Sequence, residues 1–302
     1  MLQTIQNAII ELAKSKQNLA VNIHLTGKCD MQCIGCYARF GEDVKSKPFS
    51  ITQSDWVQVI DNIYKYTSGL NVKINFVGGE PLLYPYLPHL LEHTKNRGFT
   101  TSIVTNGSLL KRRFTELNGL VDWVGISIDS FQENTLRKLG RVTKNKTLNY
   151  HEIVPLIHDL NSKLKVNTVI SQHNWQEEMT HELMSMKIDR WKVFQFLPVV
   201  GENDSAVSAL SINEDQFLYF YQQHASLKPV IENNDEMRGS YLMISPEGRV
   251  FDNAKGYYSY GASLLEGNNK FDIGGDGFST IKFLKRGGSY DWKTNAQIGA
   301  MK

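Results

Sequence analysis

The chain has 302 residues, 41% of them apolar, and a formal net charge of +2. That length and apolar content suit one large α/β domain, or two small ones, with a substantial core. The near-balanced charge argues against direct nucleic-acid binding over a broad surface. No uncharged apolar run approaches the roughly 18 residues of a membrane span, and the first residues lack the basic and continuously apolar regions of a signal peptide.

Leu2, Ile5, Ile9 and Leu12 recur at helical spacing and predict an N-terminal amphipathic helix over residues 1–19 that packs on the domain. Six β-like runs follow, at 20–26, 73–77, 101–105, 123–129, 165–170 and 191–197. Helix-length stretches lie between or after them, at 52–67, 86–97, 109–117, 132–139, 150–162 and 175–186. This alternation predicts a parallel α/β sheet over 20–200, open or barrel-like. Several runs are almost uniformly apolar, as buried parallel strands are. Polar punctuation falls at the strand exits: a cysteine loop after the first, Gly78-Gly79-Glu80-Pro81 after the second, Asn106-Gly107-Ser108 after the third, Asp129-Ser130 after the fourth and Ser171 after the fifth. In a parallel barrel those exits build the active site. After about residue 200 the pattern changes to a helix over 213–224, a hairpin of 241–245 and 249–252 around Pro246-Glu247-Gly248, and a glycine-rich tail. Residues 201–302 therefore read as an extension over the barrel mouth.

All three cysteines fall in one C-x3-C-x2-C cluster, Cys29, Cys33 and Cys36. Disulfides suit it poorly, because the number is odd and the spacing tight. Structural zinc commonly takes four ligands in separated pairs. A cubane iron–sulfur cluster bound by three thiolates keeps one iron open. Thiolate ligation suits a reducing cytoplasm.

This motif after the first strand resembles radical SAM enzymes. The resemblance implies a [4Fe–4S] cluster on Cys29, Cys33 and Cys36, with S-adenosylmethionine (SAM) chelating the open iron and yielding a 5′-deoxyadenosyl radical on reduction. Gly78-Gly79-Glu80 matches the family's second motif, at the methionine amino group. Ser127, Asp129 and Ser171 occupy positions that contact the SAM ribose and carboxylate. The family usually has an aromatic residue before the last cysteine; here it is Gly35, which leaves Ile34 or Tyr37 to meet the adenine.

Further stretches resemble the viperin family: Asn22-Ile-His-Leu-Thr, Asn75-Phe-Val-Gly-Gly-Glu-Pro, Leu139-Gly-Arg, Arg190-Trp-Lys-Val-Phe-Gln and Phe283-Leu-Lys-Arg-Gly-Gly-Ser-Tyr. They run in the family's order from about residue 20 to 292. The resemblance implies a partial (β/α)6 barrel with a C-terminal extension over its mouth, in a soluble, prokaryotic-type protein. It implies conversion of a ribonucleoside triphosphate (CTP, UTP or GTP) to its 3′-deoxy-3′,4′-didehydro analogue, an antiviral RNA chain terminator. The electron donor would be a flavodoxin, a ferredoxin or a reductase. Arg141, Lys165, Lys192, Lys285 and Arg286 match the family's basic residues, with Gly287-Gly288 offering amides to phosphate. Asn106, Ser108 and Asn167 are candidate phosphate or sugar donors. Asn22 and Tyr241 match positions beside the ribose, where Tyr241 would orient the sugar or relay hydrogen. Lys165 and Lys192 stand near the entrances of their strands, so binding at the mouth requires them to point inward. The alternatives are a radical SAM enzyme acting on a peptide, or a non-catalytic iron–sulfur or zinc module. The first often carries additional cysteines, and the second has no need of the Gly-Gly-Glu motif or the basic tail.

Overall fold

The computed structural model describes residues 18–41, 50–266 and 277–292. Its centre is six parallel strands: β1 (Asn18–His24), β2 (Asn71–Val77), β3 (Thr100–Thr105), β4 (Trp123–Ser127), β5 (Lys163–Ile170) and β6 (Arg190–Gln195). Each bonds to the next in chain order. The crossovers carry α1 (Gln53–Tyr66), α2 (Leu87–Asn96), α3 (Leu110–Leu117), α4 (Glu133–Lys138), α5 (Tyr150–Asp159) and α6 (Thr180–Ser185). The local signals are plain in α1. Thr52 and Asp55 close a capping box, and Trp56, Val59, Ile60 and Ile63 form one buried stripe. α6 starts later than the expected residue 175. Asn174 there donates its side-chain amide to the Asp129 and Val169 carbonyls, which pins the segment to the strand ends as a turn. Of the N-terminal helix expected over 1–19, residues 1–17 lie outside the described residues. Asn18 and Leu19 instead open β1, paired with Asn71 and Val72 of β2.

The strands alternate sharply. Leu19, Val21 and Ile23 of β1 and Val72, Ile74 and Phe76 of β2 are buried in the main hydrophobic core. The opposite, inward face carries Asn22, Lys73, Asn75, Lys165, Asn167, Arg190 and Lys192, since neighbours in a strand point to opposite sides. The runs are therefore not uniformly apolar. Half of each central strand is written for a polar interior.

The residues after 200, expected as an extension over the mouth, are built into the barrel itself. They extend the same sheet at both edges. α7 (Val207–Leu210) and α8 (Glu214–Gln223) lead to β7 (Val230–Glu232), which pairs in parallel with β6. α9 (Asn234–Met237) leads to β8 (Leu242–Ile244), which pairs in parallel with β1 at the other edge. β9 (Arg249–Asp252) and β10 (Ser259–Ser263) continue antiparallel from β8. The order among the described residues is β10-β9-β8-β1-β2-β3-β4-β5-β6-β7. Side chains bridge the gap between β7 and β8. Tyr241 donates its hydroxyl to Glu232. Arg286, at the end of α10 (Thr280–Lys285), donates to the Ser240 carbonyl at 3.1 and 2.9 Å. The tail closes the barrel floor. Tyr290 and Trp292 pack against Trp123, and the Asn18 side chain donates to the Tyr290 carbonyl at 2.5 Å.

Candidate functional site

The cysteine loop leaves β1 and is held from both sides. The Gly79 and Glu80 amides donate to the Thr26 and Lys28 carbonyls at 2.6 and 2.7 Å. This approach requires glycine. Gly78 has a φ of 135°, and a Cβ on Gly79 would lie 2.0 Å from the Lys28 carbonyl oxygen. Asp30 receives the Asn106 amide at 2.8 Å, the Ser108 hydroxyl at 2.6 Å and the Thr143 hydroxyl at 3.3 Å. Asn106 and Ser108, expected as phosphate or sugar donors, are thus spent on fixing the loop. On the other side the Arg39 guanidinium donates to the Cys33 and Ile34 carbonyls, and Glu202 accepts the Arg39 and Phe40 amides at 2.7 and 2.9 Å. Asn203 donates to the Gly35 carbonyl at 3.2 Å.

Gly35 has a steric reason. A Cβ there would meet Leu210 Cδ1 at 2.6 Å and Phe196 Cε2 at 2.9 Å. Both of those side chains are buried, so no aromatic residue fits at Gly35. Ile34 packs into that same cluster, whereas Tyr37 is 46% exposed. Tyr37 alone of the two stays free at the rim, its carbonyl held by the Tyr258 hydroxyl at 2.8 Å.

Glu80 is fully buried. It accepts the Leu82 and Asn106 amides and the Thr105 hydroxyl. Burial pushes its carboxyl up to about 7, against those three donors. A carboxylate has about four acceptor positions, so one is left. Asp129 accepts Arg141 at 2.6 Å and the Val169 amide at 2.8 Å. Arg141, expected on the phosphates, is thereby drawn beside Cys33, where its charge opposes the rise that burial imposes on that thiol. Ser171 is a correction. It is buried, and its hydroxyl is engaged with Asn174 and the His173 amide. It shapes the β5 exit. Ser127 ends β4 in register with Asn167.

Below the loop the barrel interior is a chamber of buried cations: Lys73, Lys165, Arg190, Lys192 and Arg286, each no more than 9% exposed. Register places them together. Lys165 pairs with Arg190, and Asn167 with Lys192, across β5 and β6. Gly125 leaves space for Lys165, whose Cε a Cβ would meet at 2.9 Å. Lys73 lies 4.4 Å from the ring centres of Tyr290 and Trp292, and Arg190 is 3.9 Å above Tyr290. One carboxylate, Glu232, faces this group among the described residues; it pairs with Lys192 and lies 3.5 Å from Arg286. Burial first, then the charge of Arg190, brings Lys165 down to about 8. Burial brings Lys192 down to about 7, against the charge of Glu232. Asn75 Oδ1, Asn167 Oδ1, Ser102 Oγ and Arg190 Nε are buried without a partner. A chamber of like charges with orphaned polar atoms is costly unless an anion fills it.

Lys165, Lys192 and Arg286 join this chamber, the lysines pointing inward as mouth binding required. Asn22 also faces it, accepting the Asn75 amide at 2.8 Å. Tyr241 stands where chamber and cysteine loop meet. Its ring lies 3.7 Å from the Arg286 guanidinium, and both it and Cys36 pack on the Ala38–Phe40–Met243–Phe251 cluster. The rest of the Lys-Arg-Gly-Gly tail does something else. The Lys285 side chain is 67% exposed and pairs with Glu236. The Gly287 and Gly288 amides donate to the Leu284 and Phe283 carbonyls and cap α10, so they offer phosphate nothing. Sequence reading missed Lys73, Arg190 and Glu232. For the first two the signal was a cation two residues from Asn75 or Lys192 inside an otherwise apolar strand.

The barrel with this cysteine loop is that of the radical SAM superfamily, whose family model matches residues 23–184. The chain is similar in structure to anSMEcpe with bound AdoMet, with a TM-score of 0.64, 12% identity, and 92% of this chain and 88% of that one covered. It is also similar to Streptococcus suis SuiB bound to S-adenosylmethionine, with a TM-score of 0.58 at 17% identity over 89% and 66% of the two chains. These likenesses concern the fold alone. In sequence it is 36% identical to the S-adenosylmethionine-dependent nucleotide dehydratase of Flammeovirga pacifica, over 91% of this chain and 96% of that one. The protein of the same name in Lacinutrix mariniflava is 37% identical, and the chain spans 59% of its length. The nucleotide dehydratase RSAD2 of Danio rerio is 31% identical, with 90% and 78% covered. The chain belongs to the S-adenosylmethionine-dependent nucleotide dehydratases, the viperin family.

Radical SAM proteins use a [4Fe–4S] cluster and SAM, and the residues present fit both. Three free cysteines on one anchored loop suit a cubane with irons at separate corners. Burial raises the Cys33 and Cys36 thiols, so their thiolates depend on a metal counter-charge. No helix among the described residues is long and apolar enough to cross a membrane.

Proposed function

We propose that the chain dehydrates a ribonucleoside triphosphate. C4′ hydrogen is abstracted and the 3′-hydroxyl is lost as water, with one electron and one proton supplied. The product is the 3′-deoxy-3′,4′-didehydro nucleotide, a terminator of viral RNA chains. The observation that carries this reading is the group of five buried basic side chains inside the barrel, with one carboxylate, Glu232, at Lys192 and Arg286, and with Tyr241 between this group and the cysteine loop. A triphosphate with about four negative charges matches that excess and supplies acceptors for buried donors.

With the cluster held by Cys29, Cys33 and Cys36, bound SAM supplies a 5′-deoxyadenosyl radical. Gly78 and Gly79 let the strand exit approach the loop, and Glu80 keeps one acceptor position for the methionine ammonium. Ser127, Asp129 with Arg141, and Tyr37 form the rim toward the cofactor. Lys73, Lys165, Arg190, Lys192 and Arg286 bind the phosphates. Asn22, Asn75 and Asn167 meet the ribose or the phosphates with their amides. Tyr241 orients the sugar at the top of the chamber and stands where the departing hydroxyl needs its proton. A flavodoxin, ferredoxin or reductase supplies the electrons, in the cytoplasm.

Anaerobically reconstituted, reduced protein is incubated with SAM and CTP, UTP, GTP or ATP in turn. Nucleotide-dependent 5′-deoxyadenosine, with a triphosphate lighter by one water, is the expected result. 5′-Deoxyadenosine formation indifferent to every nucleotide would overturn the reading. Cys33→Ala is expected to lose cluster absorbance and turnover together.

A further inference from the structure

We infer that Glu232 is a positioning residue of the phosphate chamber, whose carboxylate favours the ammonium form of Lys192 and fixes it as a phosphate ligand. The inference rests on the nucleotide reading above and assigns a role to a residue that binds no substrate itself. Glu232 ends the short strand β7, opposite Phe194, two residues beyond Lys192 on the same face of β6. It is 0% exposed. One oxygen pairs with Lys192 and lies 3.5 Å from Arg286 Nη1, and the other accepts the Tyr241 hydroxyl. Partners from β6, from the segment entering β8 and from the end of α10 leave the carboxylate no freedom to turn away.

A lone carboxylate among cations looks wasteful in a site for an anion. Its value follows from what otherwise faces Lys192. From β6 comes Arg190, from α10 Arg286, from β5 Lys165 and from β2 Lys73; the phenol of Tyr241 lies 3.4 Å away. Burial, and with it the charges of Arg286 and Arg190, drives the ammonium toward the neutral amine, and Glu232 is the one charge among its named neighbours that opposes them. Burial alone would raise the Glu232 carboxyl, but Lys192 and then Arg286 hold it below its ordinary value, so it stays ionised. A neutral amine is a poor phosphate ligand. The charge on Glu232 therefore sets how far up the pH scale Lys192 still binds phosphate.

The test is calorimetric titration of the reconstituted protein from pH 6 to 9 with inorganic tripolyphosphate, and in parallel with CTP. Wild type, Glu232→Gln, Lys192→Arg and the double variant are compared, with iron content and circular dichroism as controls for folding. Affinity is expected to fall on the alkaline side for the wild type. In Glu232→Gln that fall should begin at least one pH unit lower, making the loss between pH 6 and 8 about fivefold larger than in the wild type. The double variant, whose guanidinium keeps its proton, should regain the wild-type midpoint or exceed it. Superimposable pH profiles for wild type and Glu232→Gln would overturn the inference. If Glu232→Gln does not fold, Lys192→Arg decides: an alkaline midpoint that does not move upward overturns it. Wild type that binds tripolyphosphate but no nucleotide overturns the nucleotide reading alone. Wild type that binds neither overturns both.

Discussion

Gly79→Ala perturbs the place where the second motif touches the first. The added Cβ would stand 2.0 Å from the Lys28 carbonyl oxygen, 2.4 Å from its carbon and 2.8 Å from the Gly27 oxygen. All three are backbone atoms, so no side chain can swing aside. The β2 exit and the 26–28 segment must part, which breaks the 2.6 and 2.7 Å bonds from Gly79 and Glu80. Each such bond contributes about 0.5–1.5 kcal/mol, and forcing a methyl into packed structure costs about 1–3 kcal/mol. Together these give about 2–6 kcal/mol. For a domain of this size that is a fall in Tm of roughly 3–9 °C. Because Lys28 precedes Cys29, iron retained after anaerobic reconstitution should fall with it. Gly119→Ala is the control: its φ of 73° strains an alanine by itself, which Gly79 does not require, but nothing lies within 4 Å of its Cβ. Scanning calorimetry and iron analysis of both variants decide the matter. Gly79→Ala no less stable than Gly119→Ala, with full iron content, would refute the close-approach account of the motif.

Gly35→Ala should lose about 1–3 kcal/mol by overpacking, and Leu210→Ala, which vacates the same space, should recover most of it. Denaturant unfolding of the double-mutant cycle checks this, and simple additivity would contradict the steric account. Asp30→Ala removes the acceptor shared by Asn106, Ser108 and Thr143, and bonds to a charged group contribute about 1.5–3 kcal/mol each. The loop should then release iron faster to a chelator, by at least tenfold. Burial, then the charge of Arg190, brings the Lys165 ammonium down to about 8. It is charged below that pH and loses its proton above it, so its part of the nucleotide affinity should fade as pH climbs through 8. Lys165→Arg, which keeps its charge, should flatten that part of the profile; an unchanged profile would show that Lys165 binds no phosphate.

Much of this protein is legible in its sequence because the signals are local. Cys29, Cys33 and Cys36 stand close enough along the chain to be read together as one candidate ligand set. Gly78-Gly79-Glu80 marks a strand exit where only glycine permits the contact found. Thr52 with Asp55, and Trp56 with Val59, Ile60 and Ile63, write α1 before any tertiary contact forms. Alternation of such units orders the six central strands. Other features depend on which distant atoms arrive beside a residue. Asn106 and Ser108 have the chemistry of phosphate donors, but Asp30 reaches them first. Gly287 and Gly288 resemble an anion cradle, but their amides close the last turn of α10. Gly35 looks like a defect in the motif until Leu210 and Phe196 occupy the space. Glu232 carries no local mark, since β7 is three residues long and takes its meaning from Lys192, Tyr241 and Arg286, which come from three other parts of the chain. Spacing along the chain determines which bonds a segment can make; the fold decides which of them are already taken and which buried charges remain for a ligand.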